Sequence, residues 1–535
     1  MKSFHRLLMT LTLWAGLTAP SPTLRAQSTD ALADLYKEAR QAQLAGDLKT
    51  ATENYKRIVA LRPDMAEAHA NLGVLFYQQK QSEPAVKAFK KAIQLKPDLA
   101  GPYFFLGVLS FNARNYAEAS RYLEKAEAQD PSNFAIQLYS GFNHYARSNY
   151  LEAARRFEKA IAIDGSDQDA AYHLSKSYSH LSKKYFDELH KNYRDSFQTD
   201  LARAHFYEAE QNWEAAKEEY RHALEKHPDG HNSPNHSTSG SPQAKPQPEH
   251  QRERLRQRLE WVTQKASGAT VAPLEAGPDS AAVDGSISYF HSPPTGAKVK
   301  EELQKHQKKV QDLGSSNNAS ADHLYELAEG YQILSYLTSL WVFEADPNSY
   351  RSHQLKGQYF EALNKDEQAI QEYRRALAIK PDLQNVHFSI GNLLWTRSRS
   401  EEALLELQEE IKLDSNHPQA HYEIGDILYG QGKLAEAEMH LLKAVKLEPS
   451  MIEAHVALER LYTNQQQLTK ALYHLGKAVE IDPEDSTPHY RLSVLYRKLG
   501  RIREAEKEME LFEKTKSKDK TKDKATTKQK TTVKP

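Results

Sequence analysis

The chain has 535 residues, no cysteine, and 71 basic against 72 acidic side chains. Without thiols there is no disulfide framework, thiolate zinc site or cysteine nucleophile, and balanced charge argues against a general nucleic-acid binder, which carries a basic excess. With 22 Gly and 23 Pro, frequent Ala, Leu, Glu, Lys and Gln and few β-branched runs, the chain is neither collagen-like nor low-complexity and favours helices.

At the N-terminus Lys2, His5 and Arg6 precede an apolar run from Leu7 to Ala19, and the small Ala26 closes the segment. A charged stretch, a short apolar stretch and a small residue predict an export signal over 1–26, cleaved before Gln27. The run is too short to span a bilayer, and no later segment is long and apolar enough to do so. The expectation is an exported chain, periplasmic or secreted, with no transmembrane segment after signal removal.

A period follows. Pro63, Pro97 and Pro131 stand 34 residues apart, with Gly165 in the next slot. The same spacing links Pro347 to Pro381 and Pro449 to Pro483, with Ser415 in the slot between. Twenty-four positions before these come Ala39, Gly73, Gly107 and Gly141, then Gly357, Gly391 and Gly425. Twelve positions before come Ala51, Ala85, Ala119 and Ala153, then Ala369, Ala403, Ala437 and Ala471. Tyr55, Phe89, Phe157 and Tyr373 share a fourth place, which Leu123, Leu407, Leu441 and Leu475 fill elsewhere. The pattern predicts two helices of about a dozen residues per unit. The small residues sit where helices cross closely. Proline ends each second helix because it cannot continue one. One pair cannot bury its apolar side alone, so units stack.

Period, small residue, alanine, aromatic and proline together resemble the tetratricopeptide repeat family, as in Ala68 to Asp98. The resemblance implies an all-α fold, an α-solenoid wound as a right-handed superhelix of helix-turn-helix units. Units begin near Leu32, Ala66, Ala100, Phe134 and Phe197, then Tyr350, Gln384, Pro418, Ile452 and Ser486. The expected organisation is a signal (1–26), a first array (27–228) with a degenerate long-helix region near 168–196, and a linker or insertion (229–315) with isolated helices. A second array (316–514) and a disordered Lys- and Thr-rich tail (515–535) complete it. The two arrays are thus joined by a partly disordered insertion, rich in Pro, Ser, Asn and Gly from His227 to His250. The tail has nine lysines after Phe512 and no apolar periodicity. Solvation alone accounts for such a run; loose contact with an anionic surface is its functional reading.

Catalytic signatures are missing. The G-x-G-K string inside Tyr429–Ala437 lies at a turn between two helices, without the preceding strand that a phosphate loop needs. His353, His387, His421, His455 and His489 recur at one position of five successive units, and His69 matches them. Units about 8–10 Å apart are too widely spaced for shared coordination, so the ladder reads as packing, with a pH response as its testable consequence. The histidines at 227, 231, 236 and 250 are irregularly spaced in a flexible stretch. No metal and no cofactor is expected.

The resemblance further implies that an extended peptide or protein partner binds in the groove lined by the first helix of each unit. In the first array those positions hold Val74, Tyr77, Phe104, Val108, Phe111, Leu138, Phe142 and Tyr145; in the second they hold Phe388, Asn392, Trp395, Tyr422, Asp426, Tyr429, Arg460, Tyr490 and Arg497. Places where chaperone-binding members carry a carboxylate-gripping Lys/Asn/Arg set hold Tyr36, Arg40, Glu67, Asn71, Val74, Gly101 and Phe105, so that clamp is not expected. The expected function is a non-enzymatic scaffold or adaptor of the cell envelope. Self-association and service as an accessory subunit presenting substrate to an envelope enzyme are the alternatives.

Overall fold

The computed structural model describes residues 26–209, 212–227, 248–270, 295–315 and 320–527. The expected export signal lies outside them except for Ala26, as do 228–247 and 271–294 of the expected linker. Twenty-four helices and no strand occur among the described residues, and the chain divides into two compact units, Met1–Ala345 and Asp346–Pro535. The fold is an all-α solenoid of paired helices.

In the first unit α1 (Ala26–Leu44) pairs with α2 (Leu48–Leu61), α3 (Ala66–Gln78) with α4 (Ser82–Leu95), α5 (Ala100–Asn112) with α6 (Tyr116–Gln129), and α7 (Phe134–Ala146) with α8 (Tyr150–Ile163). Each pair closes on one seam. A Cβ placed on Gly73 would lie 2.6 Å from Phe89, one on Gly107 2.8 Å from Leu123, and one on Gly141 2.5 Å from Phe157. The glycine lets the larger residue sixteen positions later press against bare backbone, and Phe89 and Phe157 are fully buried there. Each such ring contributes about 2–3 kcal/mol of transfer free energy.

The turn inside each pair places one residue in the left-handed region. Only Gly46, Gly432 and Gly500 are glycines at that place; Lys80, Arg114, Ser148, Asn364, Ser398 and Gln466 hold φ between 54° and 61° there. Several second helices start on a side-chain cap: Asp47 accepts from the Thr50 amide at 3.0 Å and Asn115 from Glu118 at 3.4 Å.

The fifth pair departs from the expected order. Helix α9 (Gln168–Asn192) runs 25 residues, and its partner is another 25-residue helix far along the chain. Between them come α10 (Phe197–Ala209), α11 (Trp213–Lys226), α12 (Pro248–Ala266) and α13 (Ala297–Gly314); the partner is α14 (Ala321–Ala345). The register shows what this pair is. Ser175 stands where the other first helices carry glycine, and Ser335 stands twelve residues before Pro347, the alanine place. Ser175 Oγ lies 2.9 Å from the Ser335 carbonyl, to which it donates, and 2.7 Å from Ser339 Oγ. Ser339 occupies the place of Phe89 and Phe157. The pair is one repeat whose two helices are lengthened and whose turn is opened by an insertion.

Two expectations are thereby corrected. The insertion lies within a repeat, not between two arrays, and residues 321–345 pack in the first unit instead of opening the second. Paired 25-residue helices bury tyrosines along their length, with Tyr185 and Tyr331 stacked at 5.8 Å, and this seam outweighs the proximity of α14 in sequence to the next repeat. The inserted pair α10–α11 is itself repeat-like, with Ala204, Ala216 and Tyr220 fully buried. A buried ionic group fastens it. Arg258 on α12 pairs with Glu208 on α10, Tyr220 donates to Glu208 at 2.6 Å, and His205 meets Glu329 of α14 at 3.1 Å. Burial opposes charge on His205, but the adjacent Glu329 carboxylate outweighs it and raises the pKa.

The second unit contains α15 (Tyr350–Ala362) with α16 (Asp366–Ile379), α17 (Val386–Thr396) with α18 (Ser400–Leu413), α19 (Pro418–Gly430) with α20 (Leu434–Leu447), α21 (Ile452–Asn464) with α22 (Leu468–Ile481), and α23 (Ser486–Lys498) with α24 (Ile502–Thr527). Gly357, Gly391 and Gly425 repeat the seam against Tyr373, Leu407 and Leu441. Helix α24 continues to Thr527, through part of the tail expected to be disordered from 515. Lysine is a good helix former, and no Gly or Pro interrupts the run before Pro535.

Candidate functional site

The first helices of the repeats position the candidate residues, and the two units treat them differently. In the first unit Phe104, Val108 and Leu138 are buried, at 1%, 2% and 7% exposure. Phe104 lies edge-on to Phe105 and Tyr139 at 5.3 and 5.5 Å. These three are core residues and not an open groove, because successive first helices approach closely enough to enclose them. Val74, Tyr77, Phe111, Phe142 and Tyr145 are half-buried. Tyr77 packs on Phe105 at 5.3 Å, and Phe142 lies 4.8 Å from the His173 ring. Tyr145 meets His180 Nε2 at 3.0 Å, and burial raises its pKa. The apolar face expected there is largely taken up by contacts between repeats.

The positions compared with the carboxylate clamp do converge. Tyr36, Arg40, Asn71, Val74, Gly101 and Phe105 line one cavity of about 130 Å³. Its chemistry differs from a clamp. The Asn71 amide donates to the Tyr36 and Tyr55 hydroxyls at 2.9 and 3.2 Å. Glu67 on the rim is paired with Lys96 at 3.0 Å. Arg40 is the single cation among the lining residues.

In the second unit the groove positions stay accessible. Phe388, Asn392, Trp395, Tyr422, Tyr429 and Arg460 are half-buried, and Tyr490 and Arg497 are exposed. Arg460 pairs with Asp426 of the preceding repeat and lies 5.3 Å above the Tyr429 ring. That cation–π contact fixes the aromatic face instead of leaving it mobile. Phe388 rests against His417 at 4.7 Å, and Tyr490 against Phe512 at 5.2 Å. The arrangement offers half-open aromatic rings, a held guanidinium and an acceptor along successive helices, which suits an extended chain with backbone and apolar groups.

One residue on this face was missed. Glu423 stands where the second repeat carries Asn71, and its Oε2 has no hydrogen-bond partner among the described residues. Burial alone pushes its carboxyl up to about 7. The signal was a lone acid at a position that is Phe105, Tyr139 or Ala457 in other repeats.

The histidine ladder has a repeated geometry. Each ring faces the residue nineteen positions later, on the second helix of its own repeat. His353 meets Glu372 at 2.6 Å, His387 meets Glu406 at 2.7 Å and His489 meets Glu508 at 2.7 Å. His421 instead meets His440 at 2.9 Å, and His455 meets His474 at 3.0 Å, Nδ1 to Nδ1 in both pairs. On the other side, Nε2 of His69, His421, His455 and His489 reaches the carbonyl six residues earlier at 3.0–3.2 Å. The ring therefore pins the end of the preceding repeat to its own helix pair. Among the described residues no group of three or more His, Cys, Asp or Glu side chains converges as a metal site. His231 and His236 of the irregular cluster lie outside the described residues. No helix among the described residues is long and apolar enough to cross a membrane.

Comparison with known proteins follows the same lines. Family models described as tetratricopeptide repeat match residues 66–99 and 388–452, and one described as TPR repeat matches 357–398. No curated protein matches the chain. Among solved structures, MamA from Desulfovibrio magneticus is 20% identical over 32% of this chain and 96% of its own, with a TM-score of 0.30. PilF of Pseudomonas aeruginosa is 17% identical over 39% of this chain and 90% of its own, with a TM-score of 0.31. The Cut9–Hcn1 assembly of the APC/C is 13% identical over 90% of this chain and 93% of its own, with a TM-score of 0.31. The seam of glycine against aromatic or leucine, the 34-residue register and the three matched segments agree: this chain is a tetratricopeptide repeat protein.

Proposed function

We propose that the chain is a non-enzymatic scaffold that binds an extended peptide segment of a protein partner along the first helices of its second unit. The observation that carries this is the half-open face of Phe388, Trp395, Tyr422 and Tyr429, with Arg460 held over Tyr429 by Asp426. Aromatic rings and arginine are the side chains that dominate interface energetics. In the first unit Phe104 and Leu138, at the place of Phe388 and Tyr422, are buried between repeats. The pattern of residues 1–26 supports export, so the partner is sought in the cell envelope.

The test is selection of peptides from a displayed random library on the full chain, followed by titration of the selected peptides against Trp395→Ala/Tyr422→Ala/Tyr429→Ala. Circular dichroism confirms that the variant stays helical. Loss of binding by the variant, with binding retained by Phe111→Ala, is the expected result. Equal affinity for both variants overturns the placement, and failure to select any peptide overturns the peptide-binding reading.

A further inference from the structure

The groove accounts for the first helices of the second unit. Its second helices carry a separate feature on the opposite face. Leu405, Met439 and Tyr473 occupy one place in three successive repeats and are 65%, 60% and 60% exposed. The same place holds Glu53, Lys87, Arg121 and Arg155 in the first unit, and Gln371 and Lys507 on either side of the three. Solvated helix faces carry such polar residues; three large apolar ones in line do not serve the repeat core, which Ala437 and Leu441 already fill. Leu442, one turn from Met439, widens the centre of the stripe and is 41% exposed. Gly476 stands at the place of Leu442 on α22, and a Cβ there would meet nothing within 4 Å. Contiguous exposed apolar surface of this kind marks an association site.

The charges beside the stripe say what covers it. Three residues before and four after the apolar residue, α18 carries Glu402 and Glu409. The same two offsets hold Glu436 and Lys443 on α20, then Lys470 and Lys477 on α22. Across the three helices the flanks therefore run from acidic, through one of each sign, to basic. Whole helices follow the trend: α18 has five acidic residues against one basic, α20 two of each, and α22 one acidic against two basic.

A surface with opposite charge at its two ends and an apolar centre is complementary to itself. We infer that this face of α18, α20 and α22 pairs with the same face of a second copy of the chain, about a two-fold axis running along α20. That axis lays α18 of each copy over α22 of the other. Glu402 and Glu409 then face Lys470 and Lys477 of the second copy, which makes four opposite-charge contacts; Leu405 faces Tyr473; and Met439 meets its own equivalent, as do Glu436 and Lys443 in two like-charge pairs that the four contacts outnumber. An isologous interface of this kind uses one patch twice and closes at two copies. The flanking charges sit at the rim and fix the pairing, while the apolar centre supplies the attraction.

The symmetry makes the test specific. Sedimentation velocity is run on the full chain, on Glu402→Lys/Glu409→Lys, and on Lys470→Glu/Lys477→Glu. All four positions lie on the surface, and matched melting curves verify folding. The expected result is a concentration-dependent dimer for the parent and dissociation constants raised about tenfold or more for each variant, because each now opposes like charges at both ends. An equimolar mixture of the two variants restores the dimer, since acidic and basic ends then match at both contacts. A parent that stays monomeric across the concentration series overturns the inference. So does an oligomer that survives both swaps, or a mixture that fails to dimerise; those outcomes leave an unrelated protein as the occupant of the stripe.

Discussion

Acidification tests the histidine ladder most directly. In two repeats the ring faces a second histidine, and in three it faces a glutamate. His474 is the sharpest case. Burial, then the neighbouring His455 and Lys470, lower its pKa from 6.5 to about 4. His421, His440 and His455 are lowered as well, each chiefly by burial, with Lys443 beside His421 and Lys477 beside His455. The sign follows from linkage. Above pH 6.5 neither the folded nor the unfolded chain holds the proton, and stability is flat. Between pH 6.5 and 4 the unfolded chain binds it and the folded chain does not, so stability falls as pH falls. At pH 5 the loss from His474 is about 2 kcal/mol as an upper bound, and about 1 kcal/mol once solvent reaching the ring is allowed for. For a unit of this size that is about 2–8 °C in melting temperature. The assay is thermal melting by circular dichroism at pH 7.5 and 5.0, for the parent, His474→Gln and His489→Gln. His474→Gln should lose less on acidification than the parent. His489→Gln, which removes a ring set between Glu508 and the Pro483 carbonyl and leaves both histidine pairs intact, should keep the parent's loss. Equal acid-induced losses in the two variants would refute the assignment of the response to the paired histidines.

Three further outcomes follow from the seam, the turns and the buried ion pair. Gly141→Ala should cost about 1–3 kcal/mol in urea unfolding, because its Cβ would sit 2.5 Å from Phe157. Gly101→Ala, on a first helix with nothing within 4 Å, should instead stabilise by up to about 1 kcal/mol. Replacing Lys80 or Arg114 with glycine should raise the melting temperature, since each holds φ 59° in the left-handed region, and relief of about 1–2 kcal/mol of strain exceeds glycine's entropic penalty of about 0.5–1 kcal/mol; a fall in both would show that the turn is not strained. Glu208→Gln should destabilise by about 3–5 kcal/mol by leaving Arg258 buried beside a neutral amide, while Glu208→Leu/Arg258→Met should recover most of that loss, as read by urea midpoints.

Period, helix pairs and seam were legible because they depend on residues at fixed local spacing. A glycine sixteen residues before a Phe or Leu states which two helices touch and where. The groove was less legible. Phe104 and Val108 lie on the same helix stripe as Phe111, yet the first two are enclosed and the last is half-open. The difference is set by how closely the next first helix approaches, and a single-helix pattern does not encode that distance. In the second unit the same stripe carries Asn392, Asp426 and Arg460 among the rings, and these polar residues lie on a face that stays half-open. Five of the left-handed turns were hidden for another reason: lysine, arginine, serine and glutamine occupy them, whereas Gly46, Asn364, Gly432 and Gly500 mark the others.

The fifth repeat shows how a long insertion leaves the register intact. The turn between two helices of a repeat is exposed and carries no seam residue, so chain can be added there without disturbing the small-residue contact. Lengthening both helices to 25 residues keeps the new ends antiparallel and gives the added chain its own packed face, where Tyr178 lies 5.9 Å from Tyr331 and Tyr185 stacks on it. The seam chemistry changes with it. Elsewhere bare glycine admits an aromatic or leucine; here Ser175 and Ser339 meet through their hydroxyls at 2.7 Å. A hydroxyl pair spans the gap with less volume than glycine and phenylalanine. Ser175 gives its proton to the Ser335 carbonyl, so the Ser339 hydroxyl donates to Ser175, and removing the Ser175 oxygen breaks both bonds, each worth about 0.5–1.5 kcal/mol. The halves of this repeat are therefore bound by a contact that the intact repeats do not use.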